Sequence, residues 1–219
     1  MNEQCKLKNI CPLCKTVNSD FFYEDKFRAY FRCNICSLIF VPPSSHLTNG
    51  EEKDRYDLHQ NLSDNPNYRK FLSRIFYPMQ KLIIPAGEGL DFGSGPGPTL
   101  SLMFEEAGYS MSIYDHFYAD DPSVFDKQYD FITTSEVIEH LFDPGYELDR
   151  LWGCLKSGGC LGIMTKLALD HESFARWHYK NDPTHVCFFS KSTFAWLGSK
   201  WHCRITFADK DVVIFEKRY

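Results

Sequence analysis

The stretch LDFGSGPGPTL, residues 90–100, constrains the fold of this chain more than any other feature. An apolar run that ends in an acid is followed by Gly93, Gly95 and Gly97, and then by TLSLMFEEAG, a helix-like segment that stops at Gly108. This order predicts a strand, a tight loop and a helix. In open parallel sheets, ligands bind beyond the carboxyl ends of the strands, so we expect the loop to line a ligand site.

The remainder of the chain repeats the alternation of strand and helix. Predicted strands are SMSIYD, YDFITTS and CLGIMT, and predicted helices are EVIEHLF and PGYELDRLWGCLK, with a turn at Gly158 and Gly159. Such alternation is typical of an α/β fold in which helices cover both faces of a mostly parallel sheet.

The glycine loop does not match the dinucleotide fingerprint G-x-G-x-x-G. Counting from Gly93 and Gly95, the third glycine would fall at position 98, which is Pro98. Pro96 and Pro98 also remove two backbone N–H donors that a phosphate would need. Asp91 is expected at the mouth of the loop, where a carboxylate about 5 Å from a second charge contributes roughly 3 kcal/mol and repels phosphate. The loop therefore favours a cationic ligand without a diphosphate.

A second acid supports this interpretation. Asp115 closes the next predicted strand, 22 residues after Gly93 (115 − 93). An acid at this place can accept hydrogen bonds from both hydroxyls of an adenosine ribose. DFGSGPG followed by Asp115 resembles the class I S-adenosylmethionine (SAM)-dependent methyltransferases, and YDFITTSEVIEHL and LKSGGCLGIMT extend the resemblance over about residues 87–217.

The resemblance implies a Rossmann-like sheet, a SAM cofactor and roles for individual residues. The glycine loop would cradle the methionine part of SAM, Asp115 would hold the ribose, and Ser135 and Glu136 would lie beside the sulfonium. The tail, RITFA and DVVIFEK, would close the sheet as an antiparallel hairpin. Only 13 residues separate Asp115 from Tyr129, where the family has a helix and a third strand, so we expect this sheet edge to be shortened. The gap leaves three alternatives for the adenine contact: Asp120, Asp121 and the backbone near Val124.

Four cysteines near the N-terminus form two C-x-x-C pairs, Cys11 with Cys14 and Cys33 with Cys36, with 18 residues between the pairs (33 − 14 − 1). This spacing is typical of a four-thiolate zinc site. Four thiolates leave no coordination position open, so the zinc would be structural. The intervening FFYEDKFRAYFRC is predicted to form a short hairpin. The alternative is two unrelated redox or buried cysteine pairs.

Three regions follow from these features: a zinc ribbon over 1–45, a linker and helical lid over 46–84, and a SAM-binding methyltransferase domain over 85–219. In the second region, Asn65 and Pro66 mark a helix start, and apolar residues then recur at three- and four-residue steps.

Two further expectations concern this middle region. Pro78 is expected to end or kink the helix. Tyr56, with His59, is expected to fold over the cofactor, and an exposed helix position is the alternative.

Charge and composition limit the partners. The net charge of −5 provides no global basic field, and the ribbon region has a local excess of only +2, six basic against four acidic residues. Nucleic acid is therefore not the favoured partner. No run approaches the roughly 20 apolar residues of a membrane span, and the N-terminal segment lacks the apolar centre of a secretory signal. We expect a cytoplasmic protein without a membrane partner, whose nine cysteines serve as free thiols and metal ligands.

Residues 169–194 contain an unusual density of histidines and aromatic residues, in a place where the family carries substrate contacts. His185 is the first candidate for a general base and His178 the second, if the acceptor must lose a proton. The alternative for DPTH is a capped turn. His140, four residues after Glu136 on the predicted helix, is a third candidate, with a scaffold role as the favoured alternative. No further carboxylate is spaced to complete a catalytic metal site there.

The sequence thus predicts a SAM-dependent methyltransferase with a structural zinc ribbon, acting on a small molecule. A ribbon before such a domain also resembles the bacterial sugar C-methyltransferases, so a sugar or another metabolite is the expected acceptor. Two alternatives stay open. One is an RNA or protein methyltransferase that docks through the ribbon, and the other is a non-catalytic zinc-ribbon adaptor.

Overall fold

A computed structural model describes residues 9–58 and 62–218 of the chain. His59 and residues 1–8 of the predicted ribbon region lie outside these ranges. The N-terminal elements are β1 (Ser19–Glu24), β2 (Ala29–Cys33), β3 (Ile39–Phe40), α1 (Asn49–Tyr56) and α2 (Pro66–Gln80). The following elements are β4 (Glu88–Phe92), α3 (Thr99–Glu106), β5 (Ser110–Tyr114), β6 (Tyr129–Ser135), α4 (Pro144–Gly153), β7 (Leu155–Met164), α5 (His171–Ala175), β8 (Cys187–Phe188), α6 (Lys191–Lys200), β9 (Arg204–Asp209) and β10 (Val212–Glu216).

The larger sheet has six strands in the order β5-β4-β6-β7-β10-β9. The first four are parallel, and β10 pairs antiparallel with both β7 and β9. This confirms the predicted α/β sheet and its closing hairpin. Between Asp115 and Tyr129 the chain forms a 3-10 helix, Pro122–Asp126, and an isolated bridge from Asp115 to Ala119 in place of a strand of the sheet. β5 is therefore an edge strand, and the shortened edge is confirmed.

Helices cover both faces of this sheet. On one face, α2 and α3 bury Ile75 and Phe104 against Phe131 of β6. On the other face, Leu148 of α4 and Phe194 of α6 belong to a second apolar core. No helix in residues 9–58 or 62–218 is both long enough and apolar enough to cross a bilayer.

The structure confirms the predicted start of α2 but not its predicted end. Asn65 caps the helix by accepting hydrogen bonds from two backbone N–H groups of the first turn, and Pro66 is the first helical residue. The helix continues past Pro78 to Gln80, so the expectation that Pro78 ends it was wrong. A proline this close to the C-terminus removes one helical hydrogen bond, and the next residue, Met79, is fully buried in the core.

A smaller, four-stranded sheet joins the cysteine-rich region to the α/β region. Its order is β1-β2-β3-β8, and the predicted hairpin is confirmed as β1 and β2. β3 pairs with β8, Ile39 opposite Phe188, so the last strand of this sheet comes from the far end of the chain. Tyr30 of β2 is fully buried and meets Phe174 and Phe188 edge-on. The two regions therefore share one continuous core.

The first turn of the cysteine-rich region lies directly against the start of α4. A Cβ added to Gly145 would lie 2.4 Å from the carbonyl oxygen of Leu13, so only glycine allows this approach. The backbone N–H of Gly145 donates to the carbonyl of Pro12. Lys15 and Asp143 form an ion pair beside this contact.

The segment EVIEHLF is not the predicted helix. It forms turns after β6, in which the N–H of His140 donates to the carbonyl of Val137. The carbonyl of Glu139 accepts hydrogen bonds from the N–H groups of Val186 and Cys187 at 2.8 and 2.9 Å. This carbonyl thus bonds to the segment at β8 instead of to a following helical turn. The helix prediction failed because a long-range pairing outweighed local propensity.

Candidate active site

A cavity of about 650 Å³ opens at the carboxyl ends of β4, β5 and β6. Residues 92–96 and 114–118 form one side, which we call the glycine wall. Residues 135–137 and 140–143, with Glu147 and His185, form the other, the histidine wall, and Ile138 and Glu139 are fully buried behind it. Side chains of α1 and α2 contribute the rest: Asn49, Glu52, Tyr56, Tyr68 and Phe71. Both the place and the volume are those expected for a small-ligand site in a parallel sheet.

The lining of the cavity is acidic. It contains no lysine or arginine among the described residues. Its carboxylates are Glu52, Asp115, Glu136, Asp143 and Glu147. A cationic ligand is therefore favoured and a phosphate is disfavoured.

The glycine loop is held in a conformation that other residues rarely adopt. Gly93 and Gly95 have φ values of 78° and 63°. A Cβ at Gly93 would lie 2.3 Å from Cγ2 of Val137. The glycine therefore lets the loop lie directly on the turn of the histidine wall. Gly97 is not part of the cavity lining, and its carbonyl accepts the N–H of Thr99 at the start of α3.

Asp115 connects the two halves of the glycine wall. Its Oδ2 accepts the N–H of Gly95 at 2.9 Å, and its Oδ1 accepts the N–H groups of Phe117 and Tyr118 at 2.9 and 3.2 Å. The carboxylate lines the cavity, as the sequence predicted. His116, Phe117 and Tyr118 line the cavity, whereas Asp120, Asp121 and Val124, the proposed adenine contacts, do not.

Asp91 lies beneath the loop and not at its mouth. It is the penultimate residue of β4, opposite Thr133 of β6, whose hydroxyl donates to Asp91 Oδ1 at 3.0 Å. Burial raises the pKa of Asp91 to about 7, and the residue does not line the cavity. The expectation that its carboxylate repels phosphate at the mouth is therefore corrected. Asp115 and Glu136 supply negative charge to the cavity instead.

Ser135 and Glu136 both line the cavity at the end of β6. Glu136 has a φ of 54°, in the left-handed region that side chains other than glycine seldom occupy. Its N–H donates to the carbonyl of Met164 at 2.8 Å, which fixes this strained backbone at the mouth of the sheet. Burial raises the pKa of the Glu136 carboxyl.

Tyr56 of α1 lies between the two walls. Its ring contacts those of Phe117, with centroids 5.7 Å apart, and His140, at 5.3 Å. Its hydroxyl donates to Glu52 Oε1 at 2.6 Å. Tyr56 thus lines the cavity, and its folding over the cofactor stays a prediction.

The structure brings two of the three predicted histidines together. The rings of His140 and His185 lie 4.6 Å apart, and both line the cavity. Burial lowers the pKa of His185 to about 4, so the imidazole is neutral near pH 7. His178 is exposed beside Lys166, with 3.3 Å between the Lys166 Nζ and its own Nε2, and it does not line the cavity.

Sequence reasoning missed Glu139, which lies behind the histidines. Glu139 is fully buried, and its carboxylate accepts hydrogen bonds from the hydroxyls of Thr165, at 3.0 Å, and Tyr179. Burial, and next the charge of Glu136, raise the pKa of Glu139 to about 8. The available signal was the second acid of EVIEH, next to His140. The fold brings the ligand atoms of Glu139, His140 and His185 to within 4.8 Å of one another, and the approach of His185 is a long-range contact that no local pattern signals.

The four predicted zinc ligands also converge. The sulfur atoms of Cys11, Cys14, Cys33 and Cys36 all lie within 4.8 Å of one another. Two pairs are in contact, with 3.5 Å between Cys11 and Cys36 and 3.4 Å between Cys14 and Cys33, and all four thiols are free. A set of four sulfur donors at this spacing fits one tetrahedral zinc ion.

Comparison with known proteins identifies the family. A family model described as "Methyltransferase domain" matches residues 55–204, which is more than half of the chain. No curated protein matches the sequence.

Three solved structures are examples of what the chain is similar to. A SAM-dependent methyltransferase from Thermotoga maritima is 16% identical, with 77% of this chain and 96% of that chain covered and a TM-score of 0.43. Human N-acetylserotonin methyltransferase in complex with SAM is 15% identical, with 68% and 52% covered and a TM-score of 0.51. Burkholderia thailandensis 1,6-didemethyltoxoflavin-N1-methyltransferase is 14% identical, with 92% and 100% covered and a TM-score of 0.48. At such identities the likeness concerns the fold alone.

The cavity also fits the cofactor. A glycine loop that a Cβ would obstruct, the buried and unpartnered hydroxyl of Ser94, and an acidic lining suit a cationic nucleoside such as SAM. With the family model spanning more than half of its length, the chain belongs to the methyltransferase-domain family and is a SAM-dependent methyltransferase.

Proposed function

We propose that this enzyme transfers the methyl group of SAM to a small-molecule acceptor held between the glycine and histidine walls. The observation that carries the proposal is the acidic cavity lined by both walls. SAM supplies a methyl group on a positively charged sulfur, which an acceptor atom displaces in line. The enzyme must therefore align acceptor and methyl group, and alignment alone removes much of the barrier.

In this proposal the glycine wall holds the cofactor. Gly93 and Gly95 allow close approach of the amino acid part, and Asp115, already fixed by three backbone N–H groups, presents its remaining lone pairs to the ribose hydroxyls. Ser135 and Glu136 would lie near the sulfonium, where a carboxylate favours the cation.

The histidine wall would receive the acceptor. His185 and His140 adjoin each other at the cavity, and in this proposal one of the two imidazoles accepts a proton from an acceptor that must lose one. His178, exposed and outside the cavity lining, has no such role in the proposal.

A small acceptor is favoured over RNA because the cavity is lined by carboxylates and lacks a described lysine or arginine to meet a phosphate. The toxoflavin-precursor methyltransferase, which shares the fold, acts on a small molecule by its name.

A screen with radiolabelled SAM tests the proposal. Purified enzyme is incubated with fractionated metabolites and, separately, with total RNA and protein from the same cells. Label entering a metabolite fraction supports a small acceptor. Label entering only RNA or protein would overturn it, and an RNA titration across a salt series would then show the steep salt dependence of phosphate contacts.

A further inference from the structure

The histidine wall and the residue behind it bring together three metal-ligand groups, of which the proposed methyl transfer uses only the two histidines. Glu139, His140 and His185 each direct one ligand atom to within 4.8 Å of the others. Two imidazole nitrogens and one carboxylate oxygen are a donor set suited to divalent manganese, iron, cobalt or zinc. From the sequence we expected no carboxylate spaced to complete a metal site here, whereas the fold places the Glu139 carboxylate beside the two histidines.

Both histidines are oriented by backbone carbonyls. His140 Nδ1 lies 3.3 Å from the carbonyl oxygen of Thr184, and His185 Nδ1 lies 2.7 Å from that of Tyr179. A carbonyl can only accept, so each Nδ1 carries the proton and each Nε2 carries the lone pair. This is the arrangement in which metal-bound histidines are found, with the second ring nitrogen donating to the protein.

A second carboxylate, Glu136, lies beside this cluster. The hydroxyl of Tyr179 is within hydrogen-bond distance of Glu139 Oε1 and, at 3.3 Å, of Glu136 Oε2, but it has one proton to donate. Glu136 Oε1 is buried and has no hydrogen-bond partner. Among the described ion pairs, neither acid is joined to a lysine or arginine. The charges of Lys166 and Arg74 act on Glu136 from beyond ion-pair distance, and a bound cation would compensate both buried carboxylates more directly.

We propose that Glu139, His140 and His185 bind a divalent cation, with Glu136 as a fourth ligand or as a charge partner, and that this cation binds the acceptor. The site is distinct from the four-cysteine cluster in chemistry, since nitrogen and oxygen donors replace thiolates. His140 and His185 line the cavity, so the open coordination positions face the proposed acceptor.

The acceptor class follows from the cation, and this step rests on the proposed function. A cation with three or four protein ligands has positions left for two oxygens of a vicinal diol or a catechol. Coordination lowers the pKa of a bound hydroxyl. The hydroxyl proton passes to water, the oxygen lone pair forms the bond to the methyl carbon, and the carbon–sulfur bond breaks with its electrons remaining on sulfur. The products are a methyl ether, S-adenosylhomocysteine and one proton.

Manganese binding tests the site without any acceptor. Enzyme that holds one equivalent of zinc per chain, enough for the four-cysteine cluster alone, is titrated with Mn²⁺ and followed by electron paramagnetic resonance, and the same samples are titrated with S-adenosylhomocysteine by calorimetry. We expect one saturable Mn²⁺ per chain, with spin-echo modulation from histidine nitrogen. Glu139→Gln and His185→Gln should weaken Mn²⁺ binding at least tenfold, whereas the exposed controls Glu105→Gln and His202→Asn should change it less than twofold.

The outcomes separate this proposal from the proposed function. Absence of saturable Mn²⁺ binding by the wild type, or bound Mn²⁺ without nitrogen coupling, overturns the cation site even if both variants misfold. Affinity that is equal in wild type and in a folded Glu139→Gln variant overturns it as well. Mn²⁺ binding without S-adenosylhomocysteine binding would leave the cation site standing and would count against the cofactor assignment alone.

Discussion

The glycine wall and the histidine wall of the cavity are built in different ways. The glycine wall comes from residues 92–118, and its bonds, such as Gly95 N–H to Asp115, join neighbouring parts of the chain. The histidine wall joins residues 44 apart in the sequence, His140 and Thr184, and it is reinforced by the cysteine-rich region.

Arg28 provides that reinforcement. Its guanidinium donates to the carbonyls of Lys180, Asp182 and Pro183 at 2.6, 2.8 and 3.2 Å, immediately before His185. The comparison shows that contacts between neighbouring parts of the chain are enough to build the glycine wall. The position of His140 and His185 depends instead on long-range contacts, including those of the cysteine-rich region.

The largest expected effect comes from disrupting the four-cysteine cluster. Cys14→Ser should remove bound zinc and lower the free energy of unfolding by about 4 kcal/mol or more, because metal binding and folding are coupled and the ribbon shares its core with the sheet. Elemental analysis should find one zinc per wild-type chain. Cys203→Ser, a half-buried thiol outside the cluster, is the control and should retain the zinc. Full stability without zinc would contradict a structural role.

Gly93→Ala should break both walls together. An alanine at this position is strained by the left-handed backbone, and its Cβ overlaps Val137. The two effects together should lower the free energy of unfolding by about 2–4 kcal/mol. Gly108→Ala is a matched control, since it has a φ of 89° and nothing within 4 Å of the added Cβ. It should cost about 1–2 kcal/mol. Equal losses in chemical denaturation would mean that the contact between the walls adds nothing.

Arg28→Met should loosen the histidine wall and spare the glycine wall. Loss of the nearly buried guanidinium leaves its carbonyl partners unpaired, which should lower the free energy of unfolding by about 2–3 kcal/mol. Amide hydrogen exchange should accelerate at Val186, whereas the Gly95 amide and the affinity for S-adenosylhomocysteine should change little. Arg32→Met, an exposed position in the strand β2 that begins directly after Arg28, should stay within about 0.5 kcal/mol of wild type. Amide hydrogen exchange that accelerates equally in both walls would contradict the idea that Arg28 supports the histidine wall alone.

Tyr56→Phe should have the smallest effect. The ring contacts with Phe117 and His140 remain, and the lost hydroxyl bond to Glu52 should cost about 1 kcal/mol. Calorimetry should show an affinity for S-adenosylhomocysteine within about fivefold of wild type, a change of about 1 kcal/mol or less. A greater loss would assign the hydroxyl a direct cofactor contact.

The same division explains how much the sequence could predict. The sheet, its closing hairpin, the cysteine cluster and Asp115 followed from short motifs and from periodicity. The conformation of residues 136–140 did not, because the Glu139 carbonyl bonds to Val186 and Cys187, which no local pattern signals. The predicted position of Asp91 at the mouth of the loop was wrong for a related reason. Its burial depends on Thr133 of the neighbouring strand, and a sequence does not show which side of a strand faces a ligand.

The most direct test of the central claim, that the glycine wall with Asp115 binds SAM, is calorimetry with S-adenosylhomocysteine on wild type, Asp115→Asn and the exposed control Asp126→Asn. Two hydrogen bonds to a charged group contribute about 1.5–3 kcal/mol each. We therefore expect one wild-type site per chain, an unchanged Asp126→Asn, and a loss of affinity in Asp115→Asn of at least about 30-fold, or 2 kcal/mol. Wild-type enzyme that binds no S-adenosylhomocysteine, or binds it equally well as Asp115→Asn, would contradict the account.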